Sequence, residues 1–201
     1  MPTRAEHRRA TLRRLGDAAV DLYESMAPAE PTVDHIASEA GVSRRTAFRY
    51  IESKEELLFT HPVLWFEIFD AAIAERADAP IGDRLRHASD AISRVIDADP
   101  EPVLRSFRVS RGVPGAAASY AVVNHRWIDR VEAEIARDSE GDRFRDRVLA
   151  AAVMGVIDAA LEEWAGDEGA TPLVDLVDRG LRLLSPLFAD AGGQVGDAAR
   201  G

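Results

Sequence analysis

Arg44, Arg45, Phe48 and Arg49 lie within six residues of chain, flanked by hydroxyl, phenol and ammonium donors at Thr32, Ser43, Thr46, Tyr50 and Lys54, the last being the only lysine in the sequence. An arginine guanidinium can bond guanine bidentately through O6 and N7, and an aromatic edge can touch a thymine methyl. The surrounding donors suit phosphate oxygens, which fix register without reading sequence. The set is equipped to bind duplex DNA, with Arg44 and Arg45 as the direct-readout candidates. A solvated helical face with ordinary caps would account for any one of these residues; the ordered whole points to recognition.

Chemistry of this kind needs an element that projects it. Thr32 caps a short helix, Val33 to Ala40, that ends at Gly41. Gly41-Val42-Ser43 then separates it from a helix running from Arg44 to about Tyr50, with Gly at the C-terminal stop and Ser as the next cap. Two short helices joined by a three-residue turn containing Gly form the helix-turn-helix pattern. Ile36, Ala37, Ala40, Val42, Ala47 and Ile51 are small or apolar, so the helices can pack closely and the second can enter a major groove about 12 Å wide.

The flanking periodicity is helical throughout. Upstream, Leu12, Leu15, Ala19, Leu22 and Met26 recur at steps of three and four, with Arg8, Arg9, Arg13 and Arg14 mainly off that stripe. Pro28 and Pro31 stop this helix. Downstream, Ser53-Lys54-Glu55-Glu56 reads as a capping box opening a long helix from Lys54 to about Ala77. Five more helices are expected near 83–97, 101–110, 115–137, 142–166 and 172–188, the last opened by Thr171 as cap and Pro172 at the first helical position. No strand pattern competes. The expected class is all-α: a three-helix head with a helix-turn-helix, then a six-helix bundle.

The run from Thr32 to Leu58, with Thr32-Val33, Ile36-Ala37, Ala40-Gly41-Val42-Ser43, Thr46 and Ser53-Lys54-Glu55, resembles the signature of TetR-type regulators across roughly residues 10 to 60. That resemblance implies a homodimer, a DNA-binding head, and a helical body that binds an effector and dimerises through its last two long helices. It places Thr32, Thr46, Tyr50 and Lys54 on phosphate-contacting positions, and Arg44, Arg45 and Phe48 on base-reading ones. The chain departs from the family pattern at Ala27-Pro28, Ala47 and Glu52. Asp34 falls where some relatives read a base, and a carboxylate there could accept from cytosine N4. The Ser43-Arg44-Arg45-Thr46 string and the segment from Arg147 to Trp164 are also similar to the subgroup associated with mycofactocin clusters, some of which respond to fatty acyl-CoA.

In the body, Ala152, Gly155 and Ala159 give one helix a face of small residues, and Leu173, Leu176, Val177, Gly180, Leu181 and Leu184 give the next a leucine stripe. Such stripes serve a protomer's own core or a partner equally well; the resemblance favours a four-helix dimer seam. Two-fold symmetry would then require a pseudo-palindromic operator. Trp65, Phe66, Phe69, Phe107 and Trp127 are the apolar candidates for an effector pocket, with Arg108 as a polar partner, although aromatics at helical spacing are most often plain core.

Composition frames these expectations. The chain has 201 residues and a formal net charge of −10, yet residues 1–54 hold nine basic against eight acidic side chains, whereas residues 55–201 hold sixteen against twenty-seven. A near-neutral head on an acidic body confines the attraction for DNA to the head. The division expected is a DNA-binding domain over 1–53, an effector and dimerisation domain over 54–190, and a disordered tail over 191–201. There is no cysteine. The five histidines are dispersed without metal-ligand spacing, and neither a Gly-rich phosphate loop nor a Gly-x-Ser-x-Gly occurs. No catalytic residue, metal or cofactor is therefore expected. A charged N-terminus and the lack of an apolar run near eighteen residues argue against a secretory leader or a membrane span, leaving a cytoplasmic protein with DNA, a second copy of itself and a small-molecule effector as partners.

Overall fold

A computed structural model describes residues 3–26, 30–51 and 53–189. Among these are nine helices and no strand: α1 (Arg4–Met26), α2 (Val33–Glu39), α3 (Arg44–Ala47), a 3-10 turn (Glu55–Phe59), α4 (Thr60–Glu75), α5 (Ile81–Ala98), α6 (Glu101–Ser110), α7 (Ala116–Ala136), α8 (Arg143–Gly166) and α9 (Leu173–Ala189). The breaks at Ala27-Pro28, the Glu52 departure and the tail over 191–201 lie outside the described residues. The residues form two compact units, one from the chain up to Phe66 with Pro100–Val123, the other from Glu67–Asp99 with the chain from Asn124 onward.

In the first unit, α1 starts earlier than its apolar stripe suggests, because Thr3 and Glu6 cap it reciprocally. The Glu6 amide donates to Thr3 Oγ1 at 3.2 Å and the Thr3 amide to the Glu6 carboxylate at 2.5 Å. This is the capping box of a Thr-x-x-Glu string. The helix buries two faces. Leu15, Ala18 and Ala19 join Ile36, Ala37, Ala40, Ala47, Ile51 and Leu57 in one cluster, while Val20 and Tyr23 join Leu58 and Ala116 in another. Gly16 allows the close approach of α1 to the start of α4: a Cβ there would stand 2.1 Å from Thr60 Oγ1.

The expected long helix from Lys54 instead opens as a 3-10 turn. The Glu56 amide donates to Ser53 Oγ at 3.3 Å, and α-helical geometry sets in only at Thr60. The stretch Glu55–Glu75 is also long and apolar enough by composition to cross a membrane, which corrects the expectation that no such run exists. Leu57, Leu58, Trp65, Phe69, Ala72 and Ile73 account for that composition, and each is buried within the protein.

In the second unit, α9 packs against both α5 and α8. Its cap comes from far away in sequence rather than from Thr171. The Asp97 carboxylate at the end of α5 accepts the Leu173 and Val174 amides at 2.8 and 3.1 Å, satisfying orphan donors of the first turn. Arg84 is buried and gathers partners to match: Asp138 at 2.9 Å and the Ala79 carbonyl at 3.0 Å. A buried guanidinium without such partners would be strongly destabilising.

Candidate nucleic-acid interface

The head's geometry grows from its turn. Gly41 has φ +63°, a left-handed conformation that glycine adopts without the steric cost of a side chain. Thr32 Oγ1 accepts the His35 amide at 3.2 Å to start α2, and Ser43 Oγ accepts the Thr46 amide at 3.1 Å to start α3. Both hydroxyls therefore act as caps in the free chain. The third helix is shorter than expected, ending at Ala47 rather than Tyr50. Beyond it the bonds tighten to three-residue spacing, from the Arg49 amide to the Thr46 carbonyl and from the Tyr50 amide to the Ala47 carbonyl. That tighter winding carries Ile51 into the core while Phe48 stays 49% exposed.

Arg44, Arg45, Phe48 and Arg49 are all exposed on this short element. Arg44 donates to Asp34 of α2 at 3.1 Å and lies 5.4 Å from the Phe48 ring centroid. Arg49 covers the Tyr50 ring at 5.1 Å and donates to its hydroxyl at 3.2 Å. Arg45 has no partner among the described residues. Lys54 is only partly exposed. It pairs with Glu30 at 2.5 Å and lies 5.7 Å from the Tyr23 ring. Partial burial disfavours its ammonium, but the hydrogen bond to Glu30 and the neighbouring negative groups outweigh that, so its pKa stands above the ordinary lysine value. A phosphate reaching Lys54 would have to displace Glu30, a competition that residue spacing did not reveal.

The arrangement is a helix-turn-helix with cations and one aromatic on its outer face. Residues 15–60 match the family model described as bacterial regulatory proteins, tetR family, and residues 79–189 match the MftR C-terminal domain. The chain belongs to the TetR family. It is 31% identical over 207 residues to the HTH-type transcriptional regulator TcmR of Streptomyces glaucescens, covering 91% of this chain and 88% of that protein. It is 28% identical over 176 residues to a Mycobacterium tuberculosis protein described as a mycofactocin biosynthesis transcriptional regulator, MftR, covering 84% of this chain and 87% of that one. Among solved structures, FadR of Bacillus subtilis in complex with stearoyl-CoA shares the fold, with a TM-score of 0.58 at 18% identity over 86% of this chain and 96% of that one. The TetR family and these relatives are DNA-binding transcriptional regulators and not enzymes.

For a TetR regulator, the expected dimer residues divide in an informative way. Leu173, Leu176, Val177 and Leu181 are buried inside their own chain, and α9 packs there on α5 and α8. Gly180 lets α9 approach α8, since a Cβ would fall 2.4 Å from Val156 Cγ1. Leu173, Leu176, Val177 and Leu181 thus help close the protomer's own core, and half-buried Gly180 admits Val156 beside them. Gly155 and Ala159 are exposed, and Ala152 and Leu184 are half-buried.

The effector candidates fall in both units. Phe69 and Trp127, in the second, meet edge-on with ring centroids 5.6 Å apart. In the first, Trp65 is buried, Phe66 and Phe107 are half-buried, and Arg108 is exposed and paired with Glu101. Sequence reasoning passed over the exposed apolar residues Phe144, Val148, Leu183 and Leu187. Their signal was present: apolar side chains lying off the buried stripe of an otherwise satisfied helix.

Proposed function

We propose that this TetR regulator acts in the cytoplasm as a homodimeric repressor on a pseudo-palindromic operator and that a small apolar effector, of the fatty acyl-CoA class, releases it. The observation that carries the reading is the exposed face of Arg44, Arg45, Phe48 and Arg49 on an element whose opposite side, Ala47, is fully buried. Thr32, Ser43, Thr46, Tyr50 and Lys54 position that face on phosphates, and the edge-on pair Phe69 and Trp127, within one unit, serves the effector. Dimerisation is supported by Phe144, Val148, Ala151, Gly155 and Ala159, exposed at helical steps along one face of α8, and by Leu183 and Leu187 on α9. Apolar faces of this kind mark protein–protein contacts. The acyl-CoA assignment draws on the match to the MftR C-terminal domain and on the stearoyl-CoA carried by the Bacillus subtilis structure.

The test is a fluorescence-anisotropy titration of the full chain with duplexes from its own upstream region, repeated with lauroyl-CoA, stearoyl-CoA and free coenzyme A. The reading expects specific binding that a long-chain thioester reverses and coenzyme A does not. A thioester that releases DNA should also raise the melting temperature of the free protein. Specific binding that no thioester alters would instead support constitutive DNA binding by a ligand-independent helical protein.

A further inference from the structure

Two of the cations on the helix-turn-helix and its flank are already neutralised, Arg44 by Asp34 at 3.1 Å and Lys54 by Glu30 at 2.5 Å. The first turns of α1 differ. Arg4–Arg14 holds five arginines and one carboxylate in a chain of net charge −10, and that carboxylate, Glu6, is spent on the Thr3 amide. Every residue from Arg4 to Ala10 is exposed and burial begins only at Thr11, so about two turns of helix reach past the core of the head. Arg8 and Arg4 precede Leu12 at steps of four, on the side of α1 whose Leu15 and Ala19 share a core with Ile36 and Ala47. Arg14 links that side to the helix-turn-helix: its Nη1 lies 3.9 Å from where a Cβ would stand on Gly41, in the turn between α2 and α3. None of the three has an ion-pair partner among the described residues. Like charges four residues apart on a helix repel, so Arg4 and Arg8 weaken the element that carries them. An unmatched cationic face, continuous with a helix-turn-helix, is complementary to the phosphate backbone of a duplex.

We propose that Arg4, Arg8 and Arg14 form a second DNA contact: a phosphate-binding face on α1 that grips the duplex backbone beside α3 and lengthens the stretch of DNA each head covers. It adds affinity without sequence preference, as contacts to phosphate do. This rests on the head being the operator-binding element.

The test compares the full-length wild type, the double variant Arg4→Ala with Arg8→Ala, and Arg13→Ala on duplexes from the chain's own upstream region. Anisotropy titrations over about 50–200 mM salt give the salt slope, and hydroxyl-radical footprints give the backbone covered. The double variant should bind every duplex more weakly and lower the salt slope by about two. It should also lose protection at one margin of the footprint, with the order of preference among duplexes unchanged and a melting temperature no lower than that of the wild type. Arg13 lies nine residues from Arg4, on the opposite side of the helix. Its replacement should leave the footprint intact and barely change the slope. A double variant with the wild-type slope and footprint overturns the proposal. So does an equal slope change for each arginine removed, Arg13 included, because that would mark the general field of the head rather than a contact. A wild type that protects no duplex overturns DNA binding by the head itself, a distinguishable outcome, and the α1 contact with it.

Discussion

The short helix α3 and the long helix α9 carry the two most informative patterns in the chain, and they came out differently. On α3 and the turn that follows it, the residues expected to face outward do so: Arg44, Arg45, Phe48 and Arg49 are exposed, and Ala47 packs inward against Ile36, Ala37 and Ala40. On α9 three of the leucines expected between two copies, Leu173, Leu176 and Leu181, are buried inside one. Charge makes the difference. Three guanidiniums on a single short element cannot be buried without partners, so solvent is their only low-energy placement. A leucine stripe carries no such instruction, because burial against α5 and α8 or against a second chain removes the same apolar area from water.

Five substitutions would test that contrast. Leu176→Ala should cost about 2–5 kcal/mol of unfolding free energy, because it opens a cavity in the protomer's core. Denaturant melts at two protein concentrations should show the loss equally at both; a loss seen only at the lower concentration would return the leucine stripe to the seam. Leu183→Glu changes a side chain that is 78% exposed. It should leave protomer stability within about 0.5 kcal/mol while shifting the sedimentation profile from dimer to monomer, and an unchanged profile would move the proposed seam elsewhere.

On the head, Arg45→Ala should lose about 1–3 kcal/mol of discrimination at one base pair. Lys54→Ala should weaken all duplexes about equally and reduce the salt slope by about one. Equal losses on every sequence for both variants would contradict that division. The smallest effect is expected at Asp97. Its replacement by alanine uncaps α9 and should lower the unfolding free energy by about 1 kcal/mol, with faster amide exchange at Leu173 and Val174.

Much of this was legible in the residues. The turn was placed by Gly41 between the caps Thr32 and Ser43, and the helix α6, expected at 101–110, has those limits in the structure. Two local signals were present and passed over: Thr3-Arg4-Ala5-Glu6 as a capping box, and the exposed apolar residues of α8 and α9. Others had no local signal. Asp97 caps a helix that starts 76 residues later, and Glu30 and Asp34 each neutralise a cation that sequence separation had made look available for DNA.

By itself, then, the sequence determined the helical class, the turn and the outward chemistry of the head, because caps, glycine conformation and the cost of burying charge act over a few residues. Only the tertiary structure decided which apolar stripe faces the protomer's interior, which carboxylate caps α9, and which cations are already paired. Those outcomes depend on groups brought together from distant parts of the chain, and periodicity along one helix says nothing about what lies opposite it.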